Sequence, residues 1–163
     1  MKVLVLGATG FLGSWVVNKL RVKYSDIEVI KSSLSLGCDL RNYNEVDSLF
    51  SIHRPDFVIN CAAHVGGIQY GLHHTRELFH DNMSLIVNVF KACNEFKIKR
   101  LIQPVSNCAY PSHLSEFKED EFWSGPVDDS VFTYAETRRM MVVAARSYYL
   151  QSGMDTISIV HPN

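Results

Sequence analysis

Apolar residues fall into two patterns along the chain. Five short, nearly unbroken runs, at residues 3–6, 27–30, 57–63, 101–105 and 156–160, have the length of strands buried on both faces in a parallel sheet. Between them, apolar positions recur every three or four residues. Phe11, Leu12, Trp15, Val16 and Leu20 mark one helix, residues 44–52 a shorter amphipathic one, and residues 77–96 and 134–150 two long ones. Strands alternating with helices predict an α/β fold, a doubly wound and mostly parallel sheet, in one domain over 1–163. The two long helices are apolar over more than one face: one side must meet the sheet and the other needs a neighbour. A homodimer through 77–96 and 134–150 is the expectation, with a fully covered monomeric core as the alternative.

The first run leads without slack into Gly7-Ala8-Thr9-Gly10-Phe11-Leu12-Gly13 and on into a helix. A strand, a glycine-rich turn and a helix in this order suit a dinucleotide, because glycine lets the backbone approach a phosphate and the helix's free N–H groups face it. Gly7, Thr9, Gly10, Phe11, Leu12 and Gly13 are therefore cofactor-binding candidates, against the plainer reading of a tight turn that binds nothing. The end of the second strand reads the cofactor's adenosine ribose. Lys31-Ser32-Ser33 stands there with no carboxylate for a 2′-hydroxyl, so Lys31 leans the expectation toward NADP, with NAD possible. Small Ala62 and Ala63 after the third run would let the cofactor lie against backbone.

Composition narrows the class. A net charge of −1 leaves no basic footprint for nucleic acid, and no apolar run approaches a membrane span. The four cysteines match no metal-ligand spacing, and reduced thiols in a cytoplasmic protein are the default. Seven histidines are scattered; His64 is not taken as catalytic, and His73-His74 lacks a carboxylate or cysteine cluster, so no metal is expected.

The Gly-x-x-Gly-x-x-Gly spacing resembles the short-chain dehydrogenase/reductase superfamily, in particular its extended branch, the NAD-dependent epimerases and dehydratases that modify sugar nucleotides. Asn60-Cys61-Ala62-Ala63-His64-Val65-Gly66-Gly67-Ile68 and Ser106-Asn107-Cys108-Ala109-Tyr110-Pro111 narrow the likeness to the sugar-nucleotide epimerase/reductases of the GDP-fucose synthase group. The resemblance implies a Rossmann-type sheet ordered 3-2-1-4-5-6 with the cofactor across the switch point. It also implies adenine contacts from Asp39 and Leu40, and cofactor contacts from Val105, Tyr134, Arg138, Pro162 and Asn163. His161-Pro162-Asn163 is similar to the family's Pro-Thr-Asn with the proline displaced by one. In the family a carboxy-terminal substrate domain follows, absent from these residues.

The resemblance assigns Ser106 and Tyr134 the serine and tyrosine of carbonyl reduction. A carbonyl receiving hydride gathers negative charge on oxygen, which a hydroxyl can bind and a phenol can protonate. A nearby cation is needed to bring a phenol of pKa about 10 into range. The family places a lysine four residues after the tyrosine; here Arg138 stands there, keeping the charge but not the ammonium's shape. Cys108 resembles the cysteine that acts in C3/C5 epimerisation, with a small buried core residue as its plainer reading. The expected function is an NAD(P)-dependent nucleotide-sugar epimerase/reductase acting on a 4-keto sugar nucleotide, a GDP-sugar favoured. Two alternatives stay open: a cofactor-binding module that catalyses nothing alone, favoured by Arg138 and the missing domain, and an NAD-dependent 4-epimerase or 4,6-dehydratase.

Overall fold

The computed structural model describes residues 1–161; Pro162 and Asn163, both expected at the cofactor, lie outside the described residues. Strands β1 (Lys2–Leu6), β2 (Glu28–Ser32), β3 (Phe57–Asn60), β4 (Arg100–Ser106) and β5 (Thr156–His161) form a parallel sheet in the order β2-β1-β3-β4-β5. The doubly wound parallel class is as expected, and the order is that of 3-2-1-4-5-6 without its outermost strand, 3. No strand flanks β2 on its outer side among the described residues. After β2 the chain makes a 3-10 turn at Leu34–Leu36, closed by Gly37 at φ +85°, and passes through helix α2 (Tyr43–His53) to β3, which pairs with the other side of β1. The polar stretch between that turn and α2 holds no apolar run to make an outer strand.

Period-two alternation assigns the two faces. Leu4, Leu6, Val58, Leu101 and Val105 point toward α2, α4 (Thr75–Glu95) and α5 (Phe132–Ser152), where Val46, Phe50, Ile86, Val89, Phe90 and Met141 complete the main core. Each such side chain contributes about 1.5–3 kcal/mol on burial. Val3 and Val5 point the other way, toward Val17 of α1 (Phe11–Lys23). The expected apolar stripe of α1 is mostly outside: Phe11 and Trp15 are exposed, and Gly13 and Val17 are its buried residues. The last run is not a buried strand either. β5 pairs only with β4, and Ile157, Ile159 and Val160 are exposed at this edge. Pro104 is tolerated within β4 because pairing with β3 ends at Ile102, leaving no ladder on that side for a missing N–H to interrupt.

α4 and α5 pack against each other beside the sheet, leaving Phe79, Val87, Val143, Tyr149 and Leu150 exposed. No helix among the described residues is long and apolar enough to cross a membrane.

Candidate active site

The glycine turn between β1 and α1 is fixed by contacts that only glycine allows. Gly7 has φ +71°, and a Cβ there would lie 2.8 Å from the backbone N of Ala62, where the chain leaves β3. A Cβ on Gly13 would lie 2.1 Å from the Gly7 carbonyl oxygen. The turn is thus held against two neighbouring backbones. No side chain caps α1, whose N-cap is Gly10, so the N–H groups of its first turn suit a phosphate. This cradle fits a dinucleotide.

Beside it opens a cavity of about 280 Å3 lined by Gly7, Ser33, Leu34, Asp39, Leu40, Arg41, Ala62, Ala63, His64 and Asp81. Five expected cofactor residues, Gly7, Asp39, Leu40, Ala62 and Ala63, meet here. Thr9, Gly10, Phe11 and Leu12 are exposed on the turn, while Gly13 is buried beneath it. Two expected residues lie apart from the cavity. Lys31 lies inside β2, paired with Val5 and therefore on the α1 face, because the strand runs on to Ser32; it does not line the cavity. Val105 is fully buried in the main core and has no side-chain surface to offer.

Polar residues that sequence reasoning passed over line this cavity. Arg41 binds Asp39 through Nη2 at 2.8 Å and Asp81 through Nη1 at 2.8 Å. The Asp39 carboxyl is held below its ordinary range by the Arg41 hydrogen bond. At Asp81 burial opposes ionisation, but hydrogen bonds from Arg41, His80 and His64 outweigh it and the pKa falls. Asp81 also meets His64 Nδ1 at 2.9 Å, and His64 Nε2 lies 2.9 Å from the Tyr70 hydroxyl on the short helix α3 (Ile68–His73).

A larger cleft, about 700 Å3, lies across the ends of β4 and β5 and the start of α5, and Ser106, Cys108 and Tyr134 all line it. Val65, Gly66, Gly67 and α3 wall one side; Asp129, Ser130 and Phe132 wall the other, with His161 at the end of β5. Ser106 pairs in register with His161 and accepts a hydrogen bond from the Cys108 N–H at 3.3 Å, which caps the 3-10 turn at Asn107–Ala109. Three expected catalytic residues thus share one opening on the carboxyl edge of the sheet.

Arg138, the fourth, does not line the cleft. It is buried one turn along α5, its guanidinium 5.0 Å from the centre of the Tyr134 ring, and its Nη2 donates to Asn82 Oδ1 at 2.6 Å. Burial lowers its pKa, and its Nε has no hydrogen-bond partner. Asn82, fully buried on α4, also accepts the His64 N–H at 3.1 Å and donates to the carbonyls of His64 and Leu78, each at 2.8 Å. It joins the loop between the two cavities to the arginine beside Tyr134. The signal was legible in outline: Leu78, Asn82 and Ile86 follow one another at four-residue spacing, a polar residue inside an apolar stripe. Arg139 had no such signal. Its Nε donates to the Ala109 carbonyl at 2.8 Å and its Nη2 to that of Gly125 at 2.9 Å, fastening the loop after β4 to α5.

Comparison with known proteins gives a consistent family. The profile of the NAD dependent epimerase/dehydratase family matches residues 3–163. A protein named GDP-L-fucose synthase from Dictyostelium discoideum is 28% identical over 162 residues, covering 99% of this chain and 51% of its own. GDP-L-fucose synthase 1 of Arabidopsis thaliana is 29% identical over 96% of this chain and 48% of its own. The crystal structure of a GDP-L-fucose synthetase from Naegleria fowleri bound to NADP superposes with a TM-score of 0.89 at 26% identity, over 99% of this chain and 53% of that one. The chain spans about half the length of the curated relatives it matches.

Proposed function

The chain belongs to the NAD dependent epimerase/dehydratase family, and on that premise we propose that it is the cofactor-binding part of an NADP-dependent epimerase/reductase acting on a 4-keto sugar nucleotide, a GDP-sugar by analogy with its named relatives. The observation that carries this reading is the single cleft shared by Ser106, Cys108 and Tyr134.

NADP would be held by the backbone of Gly7 to Leu12 and by the cavity at Asp39, Leu40, Ala62 and Ala63, and it supplies hydride chemistry. Tyr134 donates its phenolic proton to the carbonyl oxygen at C4 as that oxygen becomes anionic, and Ser106 donates a hydrogen bond to the same atom. Arg138, a fixed positive charge beside the Tyr134 ring, stabilises the phenolate left behind. Cys108 exchanges the proton on the carbon next to the ketone, which is acidified by the C4 carbonyl. Two copies pair through the exposed apolar residues of α4 and α5.

Titration of the purified chain with NADPH, followed by GDP-4-keto-6-deoxymannose while nicotinamide absorbance is recorded, tests the reading. Binding with turnover that Tyr134→Phe abolishes supports the enzyme. Binding without turnover favours the second reading, a cofactor module that catalyses nothing by itself. Failure to bind either NADPH or NADH overturns both.

A further inference from the structure

We infer that His64 is a positioning residue that joins the two cavities: through Asp81, His64 and Tyr70, a dinucleotide filling the smaller cavity steadies α3, the wall of the larger cleft. The inference rests on the cofactor reading above. α3 has little of its own to hold it. It runs only from Ile68 to His73, too short to persist alone in water; none of its residues is buried, and its N-cap, Gly67, supplies no side-chain cap. Its neighbours are α4 and the 3-10 turn at Asp129–Val131. Tyr70 is its anchor. The ring stacks on that of His74 with centroids 4.2 Å apart, and it lies so close to Gly66 that a Cβ there would come within 2.3 Å of it. Its hydroxyl meets His64 Nε2 at 2.9 Å.

His64 is held in turn by two adjacent residues of α4. Asn82 accepts its N–H and donates to its carbonyl, and Asp81 Oδ2 lies 2.9 Å from its Nδ1. Asp81, whose pKa lies below the ordinary carboxylate value, is ionised and only accepts, so Nδ1 carries a proton. In the neutral ring Nε2 then accepts from the Tyr70 O–H; in the charged ring it donates to the same oxygen, and the contact persists. The two ends of this chain face different openings. Asp81 and His64 line the smaller cavity, whereas Ile68, Gly71 and Leu72 of α3 line the larger cleft. The side chains of Asp81 and His64 are both partly exposed, so water competes for their bond. A ligand in the smaller cavity displaces that water, and a charge-assisted bond strengthens as its surroundings lose polarity. The imidazole then holds Tyr70 more firmly, and α3 opens less often. The consequence is an order of assembly: the cofactor steadies the wall against which the sugar nucleotide packs, and by linkage the sugar nucleotide tightens the cofactor.

Hydrogen–deuterium exchange read by mass spectrometry tests this on the purified chain, with and without saturating NADPH or NADH, whichever calorimetry shows to bind tighter. The proteins are the parent, Tyr70→Phe and His64→Ala, with far-UV circular dichroism as the check on folding. In the parent the cofactor should slow exchange about 10-fold over residues 68–74, as well as over the glycine turn at residues 7–13. Tyr70→Phe keeps the ring and loses only the hydroxyl, so the slowing at 68–74 should disappear while that at 7–13 stays. His64→Ala, whose backbone bonds to Asn82 survive, should behave in the same way. A tyrosine that served structure alone would speed exchange at 68–74 by the same factor with and without cofactor, leaving the cofactor-dependent slowing intact, and that result overturns the inference. Slowing at 7–13 with none at 68–74 in the parent also overturns it and leaves the cofactor reading standing. Binding of neither NADPH nor NADH overturns both together.

Discussion

Asn82→Ala is the substitution expected to disturb this molecule most for the fewest atoms removed. The amide makes four hydrogen bonds: it accepts from the His64 N–H and from Arg138, and it donates to the carbonyls of His64 and Leu78. Each neutral bond contributes about 0.5–1.5 kcal/mol and the charged one about 1.5–3 kcal/mol, and the orphaned buried partners add their own cost. Leu78 O keeps its place in the α4 ladder and water can enter the space vacated, so the net loss is about 3–5 kcal/mol. For a chain of this size that lowers Tm by about 10–15 °C, which leaves a folded protein to measure. Urea unfolding followed by circular dichroism gives the number directly. A double-mutant cycle with Arg138→Met then isolates the Asn82–Arg138 bond, whose coupling should be about 1.5–3 kcal/mol. Asn82→Asp should fall between: it keeps both acceptors and gains a charge pair, but sets a carboxylate against two carbonyls. A loss below about 1 kcal/mol for Asn82→Ala, or a coupling near zero, would refute the view that this amide holds Arg138 and the His64 loop together.

Gly13→Ala forces a Cβ to within 2.1 Å of the Gly7 carbonyl, a backbone atom that cannot swing aside. NADPH affinity by calorimetry should fall by about 100-fold or more, and an unchanged affinity would contradict the cradle. Acid sensitivity should trace to the carboxylates whose folded pKa is depressed, Asp39 and Asp81. Their contribution is fully present above the unfolded value of about 3.9 and is lost as pH falls through the lower folded value, so between pH 7 and pH 3 the urea midpoint should drop less in Asp81→Asn than in the parent. Ellman's reagent should reach Cys38 and Cys93 only on unfolding, because both are buried and burial raises both pKa values; Cys61, pushed up by burial to about 11, should react faster as pH rises toward that value. Val143→Glu on the exposed face of α5 should convert a dimer to a monomer in light scattering, and a parent chain that is monomeric at all concentrations removes the dimer reading.

The fold was legible wherever one physical signal dominated. β1, β3 and β4 are runs buried by neighbours on both sides, and apolar content alone marks them. β2 was cut short at Ile30 because Lys31 and Ser32 break the run, yet pairing with β1 carries the strand through both. β5 failed in the opposite sense. Its Ile157 and Ile159 promise burial, but the strand lies at an edge and they stay exposed. Strand order is a property of partners rather than of any segment, so the chain's return to the far side of β1 came from the family resemblance and not from the residues that make the crossing; what it missed is that no strand flanks β2 among the described residues. The same distinction runs through the site. Ser106, Cys108 and Tyr134 carry reactive atoms and show themselves by type and spacing. Arg41, Asp81, Asn82 and Arg139 act by whom they touch, and each has a partner 14 or more residues away, as far as 56 for Asn82 and Arg138.

Arg138 is where these two kinds of information meet. As sequence it is a departure, an arginine where the family resemblance leads one to expect lysine. As structure it breaks a local rule: a guanidinium almost wholly buried, with an unpartnered Nε and, among the described residues, no carboxylate in an ion pair with it. Removing a charge from water costs several kcal/mol unless a partner compensates, and a single amide oxygen and the face of Tyr134 compensate only in part. Arginine remains charged despite the burial that lowers its pKa. A position chosen for stability alone would favour an apolar side chain of similar volume. The cation therefore makes physical sense here if a negative charge develops beside it, and the Tyr134 ring, 5.0 Å from the guanidinium, is the group placed to develop one when its proton leaves. On this argument the Asn82–Arg138 bond is the support that lets α5 carry an uncompensated charge next to its phenol, and the local rule is broken at the point where the proposed chemistry requires it.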